Sequence, residues 1–271
     1  RSIEQPAEFW AEQAKALPWF KAPQDILTQD NEGIYHWFDD GEMNTAYMAV
    51  DYHVENGRGD QPAIIYDSPV SNSKSVLTYA QLKEQVSLFA GVLKAQGVEK
   101  GDRVVVYMPM ITEAVVAMLA IARLGAIHSV VFGGFAPHEL AVRIEDAEPK
   151  LIVTASCGIE VARVIEYKPL VDKAIELSAH KPECCVVLQR PQAKAVMRKG
   201  MDIDWAEAMA NATAADCVAV KGTDPLYILY TSGTTGKPKG VVRENGGHAV
   251  ALKYSMTAVY DMQPGEVFWA A

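Results

Sequence analysis

Cysteine is scarce in this chain of 271 residues, and the four present, Cys157, Cys184, Cys185 and Cys217, form no CxxC pair. No histidine stands at metal-ligand spacing from any of them. That excludes a disulfide scaffold and a zinc ribbon and fits buried, reduced thiols. Long apolar runs are lacking too. The longest one without a charge near its middle covers residues 114–122, too short to span a bilayer. Arg1-Ser2-Ile3-Glu4 has no leader character. Positive charge is in deficit: 25 Lys and Arg stand against 34 Asp and Glu, for a net charge of −9 and a pI of about 5.2. Nucleic acid and anionic membranes are therefore not expected partners, because phosphate contacts need a basic face. Paired carboxylates, a Ser/His/Asp order and internal repeats are absent as well. His53, His128, His138, His180 and His248 stand apart from any candidate nucleophile and read as structural. A cytoplasmic or mitochondrial-matrix location is expected.

What is present suits a globular chain: 49% hydrophobic and 22% charged residues, enough for one large or two modest domains. Residues 1–60 are aromatic-rich and read as an extension packed on the main body. Asn44 is a candidate N-cap for a helix that Gly57 closes. From residue 61, strands and helices alternate. Expected strands cover 63–66, 76–78, 103–108, 127–132, 151–154 and 184–188. Thr78 with Gln81 forms a capping box, and Pro137 sits in a helical first turn. Two further helices are expected near 159–164 and 169–179. Continuous apolar strands separated by helices predict an α/β fold with a doubly wound, mostly parallel sheet. Ligands of such sheets bind beyond the carboxyl ends of the strands, which singles out the loops after Phe132, Thr154 and Tyr230. Residues 189–224 read as a polar connection. The expected division is 1–60, then a first α/β subdomain at 61–220, then the start of a second at 221–271. Residues 267–270 have strand character.

The densest chemistry lies at 230–240, YTSGTTGKPKG, after the apolar run 226–230. Gly233, Gly236 and Gly240 let a phosphate approach the backbone, and successive amides there form an anion-binding concavity. Thr231, Ser232, Thr234 and Thr235 add hydroxyl donors, and Lys237 and Lys239 add charge. This is not a Walker A loop. Its glycines are too close together, and Pro238 stands where the magnesium-binding hydroxyl would be. The chemistry implied is the grip on a polyphosphate.

This stretch resembles the phosphate-loop signature of the adenylate-forming acyl-CoA synthetases. Its flanks, Asp224-Pro225-Leu226 and Val241 through His248, resemble the acetyl/propionyl-CoA synthetase branch, with Asn245-Gly246-Gly247-His248 nearest to propionate–CoA ligase wording. The likeness runs over essentially the whole chain. It implies a two-step reaction in which propionate (or acetate) and ATP give an acyl-adenylate and pyrophosphate, and coenzyme A then displaces AMP. It implies ATP, Mg2+ and coenzyme A as ligands. Phe132, Gly133 and Gly134 match a stretch that contacts the nucleotide end of coenzyme A, and Arg163 matches an arginine that meets its 3′-phosphate. Glu160 stands where acetyl members commonly place a second arginine. In the family, the acyl pocket, the magnesium-holding glutamate and the adenylation lysine lie downstream of the part that this chain resembles. The chain therefore reads as a truncated N-terminal portion, expected to be inactive alone and to self-associate through an unpaired edge. Two alternatives stay open: an adenylation domain that loads a carrier-protein thiol, and a non-catalytic nucleotide-binding module.

Overall fold

The computed structural model describes residues 1–231 and 238–269. Pro6 opens α1 (Pro6–Ala14). Strands β1 (Leu27–Gln29) and β2 (Tyr35–Trp37) pair antiparallel, and β3 (Glu42–Met43) follows. Trp10, Trp37 and buried Phe38 pack against Val250 of the last helix. Asn44 caps as its residue type predicts: its Oδ1 accepts from the amides of Ala46 and Tyr47. Its Nδ2 donates to the carbonyls of Ala122, Arg123 and Val218, at 2.8–3.1 Å. The helical turns it opens are wide, π-type over Tyr47–Asp51 and Val54–Arg58, and they break where Gly57 takes φ +78°. Asp51 meets Arg123 in a buried ion pair at 2.6 Å.

The hairpin β4 (Pro62–Ser68) and β5 (Ser73–Thr78) stands outside the main sheet. The capping box at Thr78 is formed in both directions. It opens α2 (Tyr79–Ala95), which buries Leu82, Val86, Phe89 and Leu93. Then come β6 (Arg103–Met108), α3 (Thr112–Arg123), β7 (Ile127–Phe132), α4 (Pro137–Ala147) and β8 (Leu151–Ala155). A hairpin of β9 (Cys157–Glu160) and β10 (Arg163–Glu166) leads to α5 (Tyr167–Leu177) and β11 (Cys184–Leu188). After β12 (Asp202–Asp204) and α6 (Trp205–Ala210), β13 (Val220–Lys221) pairs with β3. The last elements are β14 (Pro225–Thr231), β15 (Lys239–Glu244) and α7 (Asn245–Ala258).

Seven strands form one sheet in the order β12-β11-β8-β6-β7-β14-β15. Every neighbouring pair is parallel except β14–β15. The chain starts in the middle at β6, steps out to β7, and crosses back to β8. Successive side chains of a strand point to opposite faces. Val104 and Val106 accordingly join the core under α2, α3 and α6, while Val105 and Tyr107 join the core under α4 and α5. The doubly wound α/β fold expected from the strand–helix alternation is the fold observed.

Three local expectations are corrected. Residues 159–164 form the β9–β10 turn region rather than a helix. The β-branched residues of 157–166 favour strand, Gly158 fits against Tyr167, and Val161 turns the chain at φ +54°. The 189–224 stretch is more than a connection. It adds edge strand β12 and helix α6, whose Trp205 stacks on Phe89 with ring centroids 3.7 Å apart. Of the expected 267–270 strand, residue 270 lies outside the described residues, and 267–269 pair with none of the described residues; Phe268 instead meets Tyr260 edge-on.

Candidate functional site

The parallel strands β6, β7, β8, β11 and β14 all end at one side of the sheet, and the sequence candidates gather there. Phe132 is the last residue of β7 and is 65% exposed, with its ring 5.6 Å from that of Phe135. Met110, just past β6, is 87% exposed. Between the two phenylalanines runs the Gly133–Gly134 turn, and Gly134 takes φ +96°. A side chain at Gly133 would strike the Tyr167 ring at 2.6 Å, so packing requires glycine at 133, and conformation favours it at 134.

Arg163 lies on the hairpin beyond β8. Its side chain is 77% exposed and pairs with Glu160 across the hairpin tip at 3.6 Å. Glu160 in turn faces the glycine turn: a Cβ at Gly134 would sit 3.0 Å from its Oε1. Phe132, Gly133, Gly134 and Arg163, scattered over 32 residues of sequence, thus share one neighbourhood. An exposed aromatic, two open backbone positions and an exposed guanidinium can together hold a flat base and an anion. Glu160 tempers the charge of that guanidinium.

Tyr107 and Tyr167 form the floor. Their ring centroids lie 5.1 Å apart. Burial raises the pKa of the Tyr107 hydroxyl to about 12, and burial followed by the Glu160 carboxylate raises that of Tyr167. Both hydroxyls stay protonated at neutral pH and can donate. Sequence reasoning passed over both. A tyrosine inside the apolar strand 103–108 was the available signal for Tyr107; nothing local marked Tyr167.

On the other side, Thr231 ends β14 opposite Lys239, the first residue of β15. Both are exposed. Ser232, Gly233, Thr234, Thr235, Gly236 and Lys237, the remaining phosphate-loop candidates, lie outside the described residues. The preceding Tyr230 donates to Asp146 of α4 at 2.6 Å. Arg143, also on α4, places its guanidinium 5.0 Å from the Phe135 ring and 5.6 Å from the Tyr230 ring. One helix thereby shares contacts with the glycine turn and with the strand that leads into the phosphate-loop sequence. Among the described residues no group of three or more His, Cys, Asp or Glu side chains could hold a metal ion.

The comparisons with known proteins bear on this arrangement. Residues 51–271 match the model of the AMP-binding enzyme family. The chain belongs to that family. Residues 1–49 match the acetyl-coenzyme A synthetase N-terminus. A Pseudomonas aeruginosa protein described as uncharacterized is 58% identical over 269 residues, 99% of this chain and 43% of its own length. The human mitochondrial acyl-CoA synthetase short-chain family member 3 is 52% identical over the whole chain, which corresponds to 40% of the human protein. Among solved structures, acetoacetyl-CoA synthetase from Streptomyces lividans superposes with a TM-score of 0.87 at 26% identity, covering 97% of this chain and 40% of that one. The chain spans about two fifths of the length of these relatives. Membership in the AMP-binding family takes in the glycine turn, the Arg163 hairpin and the phosphate-loop sequence, which all lie after residue 51. No described helix is long and apolar enough to cross a membrane.

Proposed function

We propose that this chain supplies the ATP phosphate grip and the coenzyme A entrance of an AMP-forming short-chain acid–thiol ligase, with propionate as the preferred acid and acetate as the nearest competitor. The observation that carries the proposal is the shared sheet edge. It presents the Thr231–Lys239 pair that brackets the phosphate-loop sequence, and beside it the glycine turn with exposed Phe132 and Arg163.

The chemistry follows from what such groups do. A carboxylate oxygen attacks the α-phosphorus of ATP, and the bond to the β-phosphate bridging oxygen breaks, releasing pyrophosphate. Amide and hydroxyl donors and lysine charge in the phosphate loop stabilise the developing negative charge. The coenzyme A sulfur then attacks the acyl carbonyl carbon, its proton goes to solvent, and AMP leaves. Phe132 offers a face on which adenine can stack, and Arg163 offers a charged partner for the 3′-phosphate. Among the described residues no group of three or more acidic, His or Cys side chains could hold magnesium. The division at about 60 and 220 stays part of this proposal, as do the cytoplasmic or matrix location and the inactivity of the 271 residues alone.

The test is product analysis of the full-length gene product with ATP, magnesium, coenzyme A and either acid. Propionyl-CoA, AMP and pyrophosphate in equal amounts, with propionate outcompeting acetate, are expected. Acyl transfer to a carrier-protein thiol but not to coenzyme A would replace the reading with the carrier-loading one. Binding of ATP with no acyl product from either acid would leave a nucleotide-binding module.

A further inference from the structure

Tyr107 ends most of its length inside the sheet. Its side chain is fully buried in the core under α4 and α5, yet its hydroxyl makes two hydrogen bonds, both to the turn after the neighbouring strand β7. The Gly134 amide donates to the hydroxyl oxygen at 3.0 Å, and the hydroxyl donates to the Phe135 carbonyl at 2.8 Å. The turn's own closing bond, from the Phe135 amide to the Phe132 carbonyl, is long at 3.3 Å. Two consecutive glycines, one at φ +96°, would otherwise be the freest backbone on this edge. Tyr167 blocks the turn from below, its ring 2.6 Å from where a Gly133 Cβ would stand.

We infer that Tyr107 is the positioning residue of the acyl-acceptor site: its hydroxyl pre-sets the Gly133–Gly134 turn and exposed Phe132 to receive the nucleotide end of the thiol substrate. This rests on the coenzyme A reading of the turn. A rigid turn loses little freedom when the nucleotide docks, whereas an untethered pair of glycines must be ordered at the expense of affinity. The hydroxyl stays protonated at any physiological pH, so the tether does not switch with pH.

The test is Tyr107→Phe in the full-length gene product, alongside Gly134→Ala. Tyr107→Phe keeps the ring in the core and removes only the two hydrogen bonds. It is expected to raise the KM for coenzyme A roughly tenfold. It should leave carboxylate-dependent ATP–pyrophosphate exchange, and kcat at saturating coenzyme A, near wild type. Gly134→Ala should raise the same KM. A KM that rises in Gly134→Ala but not in Tyr107→Phe overturns the positioning role and leaves the coenzyme A reading standing. A KM that moves in neither variant overturns both. Equal loss of both half-reactions in Tyr107→Phe assigns the residue to general stability and also overturns the inference. Hydrogen exchange on the wild-type full-length gene product tests the tether without any substitution. The Gly134 amide should be protected; free exchange of that amide contradicts the tether even if Tyr107→Phe does not fold.

Discussion

The two halves of the seven-stranded sheet are built from similar residues and sit in different surroundings. β6, β8 and β11 are buried almost throughout, with helices on both faces. β14 and β15 are as apolar in their centres, but Leu229 is 50% exposed and Val242 53% exposed. At the seam between the halves, β7 and β14 run parallel with His128 opposite Tyr227, and the two rings stack 5.5 Å apart. The buried half carries the glycine turn and the Arg163 hairpin. The open half carries Thr231 and Lys239. Burial tells where stability comes from, and the open half tells which surface is free to meet something else.

The largest effect that could break this contrast is a cavity on each side. Leu151→Ala, in fully buried β8, should cost about 2–5 kcal/mol in denaturant unfolding. Leu229→Ala, on open β14, should cost under about 1 kcal/mol. Similar losses in the two variants would mean that the open half is covered in solution, and sedimentation of the purified chain would then show self-association through it.

The seam gives a pH prediction. Burial, and then neighbouring His248, lower the pKa of His128 to about 4, and its Nδ1 has no hydrogen-bond partner among the described residues. An unfolded histidine titrates near 6.5, so between about 6.5 and 4 the unfolded state binds more protons than the folded one. The stabilisation is complete above about 6.5 and is lost as pH falls through that window, by roughly 3 kcal/mol at most. His128→Gln should flatten this slope in unfolding curves recorded from pH 7 to 4. An unchanged slope would place the titrating group elsewhere.

A smaller effect belongs to the open half alone. Lys239→Ala removes an exposed lysine opposite Thr231 and should leave the melting temperature within a degree or two. Carboxylate-dependent ATP–pyrophosphate exchange in the full-length gene product should nevertheless lose roughly 1.5–3 kcal/mol of transition-state stabilisation. Wild-type exchange would remove Lys239 from the phosphate grip.

The sheet was legible because its signals are local and redundant. Thr78 and Gln81 cap each other, Pro137 starts a helix, and the valines of 104–106 leave no polar face for water. The hairpin around Arg163 was missed because apolar residues at 159, 161, 164 and 165 suit either a helix or a strand. The choice was made by Tyr167, whose ring fills the space over Gly158. Trp205 was missed in a polar stretch because its partner, Phe89, lies 116 residues away. The site candidates were found where motif and strand end coincide. Tyr107, which bonds Gly134, and Arg143, which packs on the Phe135 and Tyr230 rings beside the candidates, carry no motif. Their part depends on which strand neighbours which, and only the fold supplies that.

The most direct measurement compares two single variants of the full-length gene product in two assays, exchange without coenzyme A and the KM for coenzyme A. Lys239→Ala should depress exchange and leave the coenzyme A KM unchanged. Arg163→Ala should leave exchange intact, raise the coenzyme A KM and erase the preference for coenzyme A over its 3′-dephospho form. That crossed pattern is predicted if the open half grips ATP and the buried half admits the thiol. Loss of both activities in both variants, or of neither in either, would contradict the assignment of the two half-reactions to the two halves of the sheet.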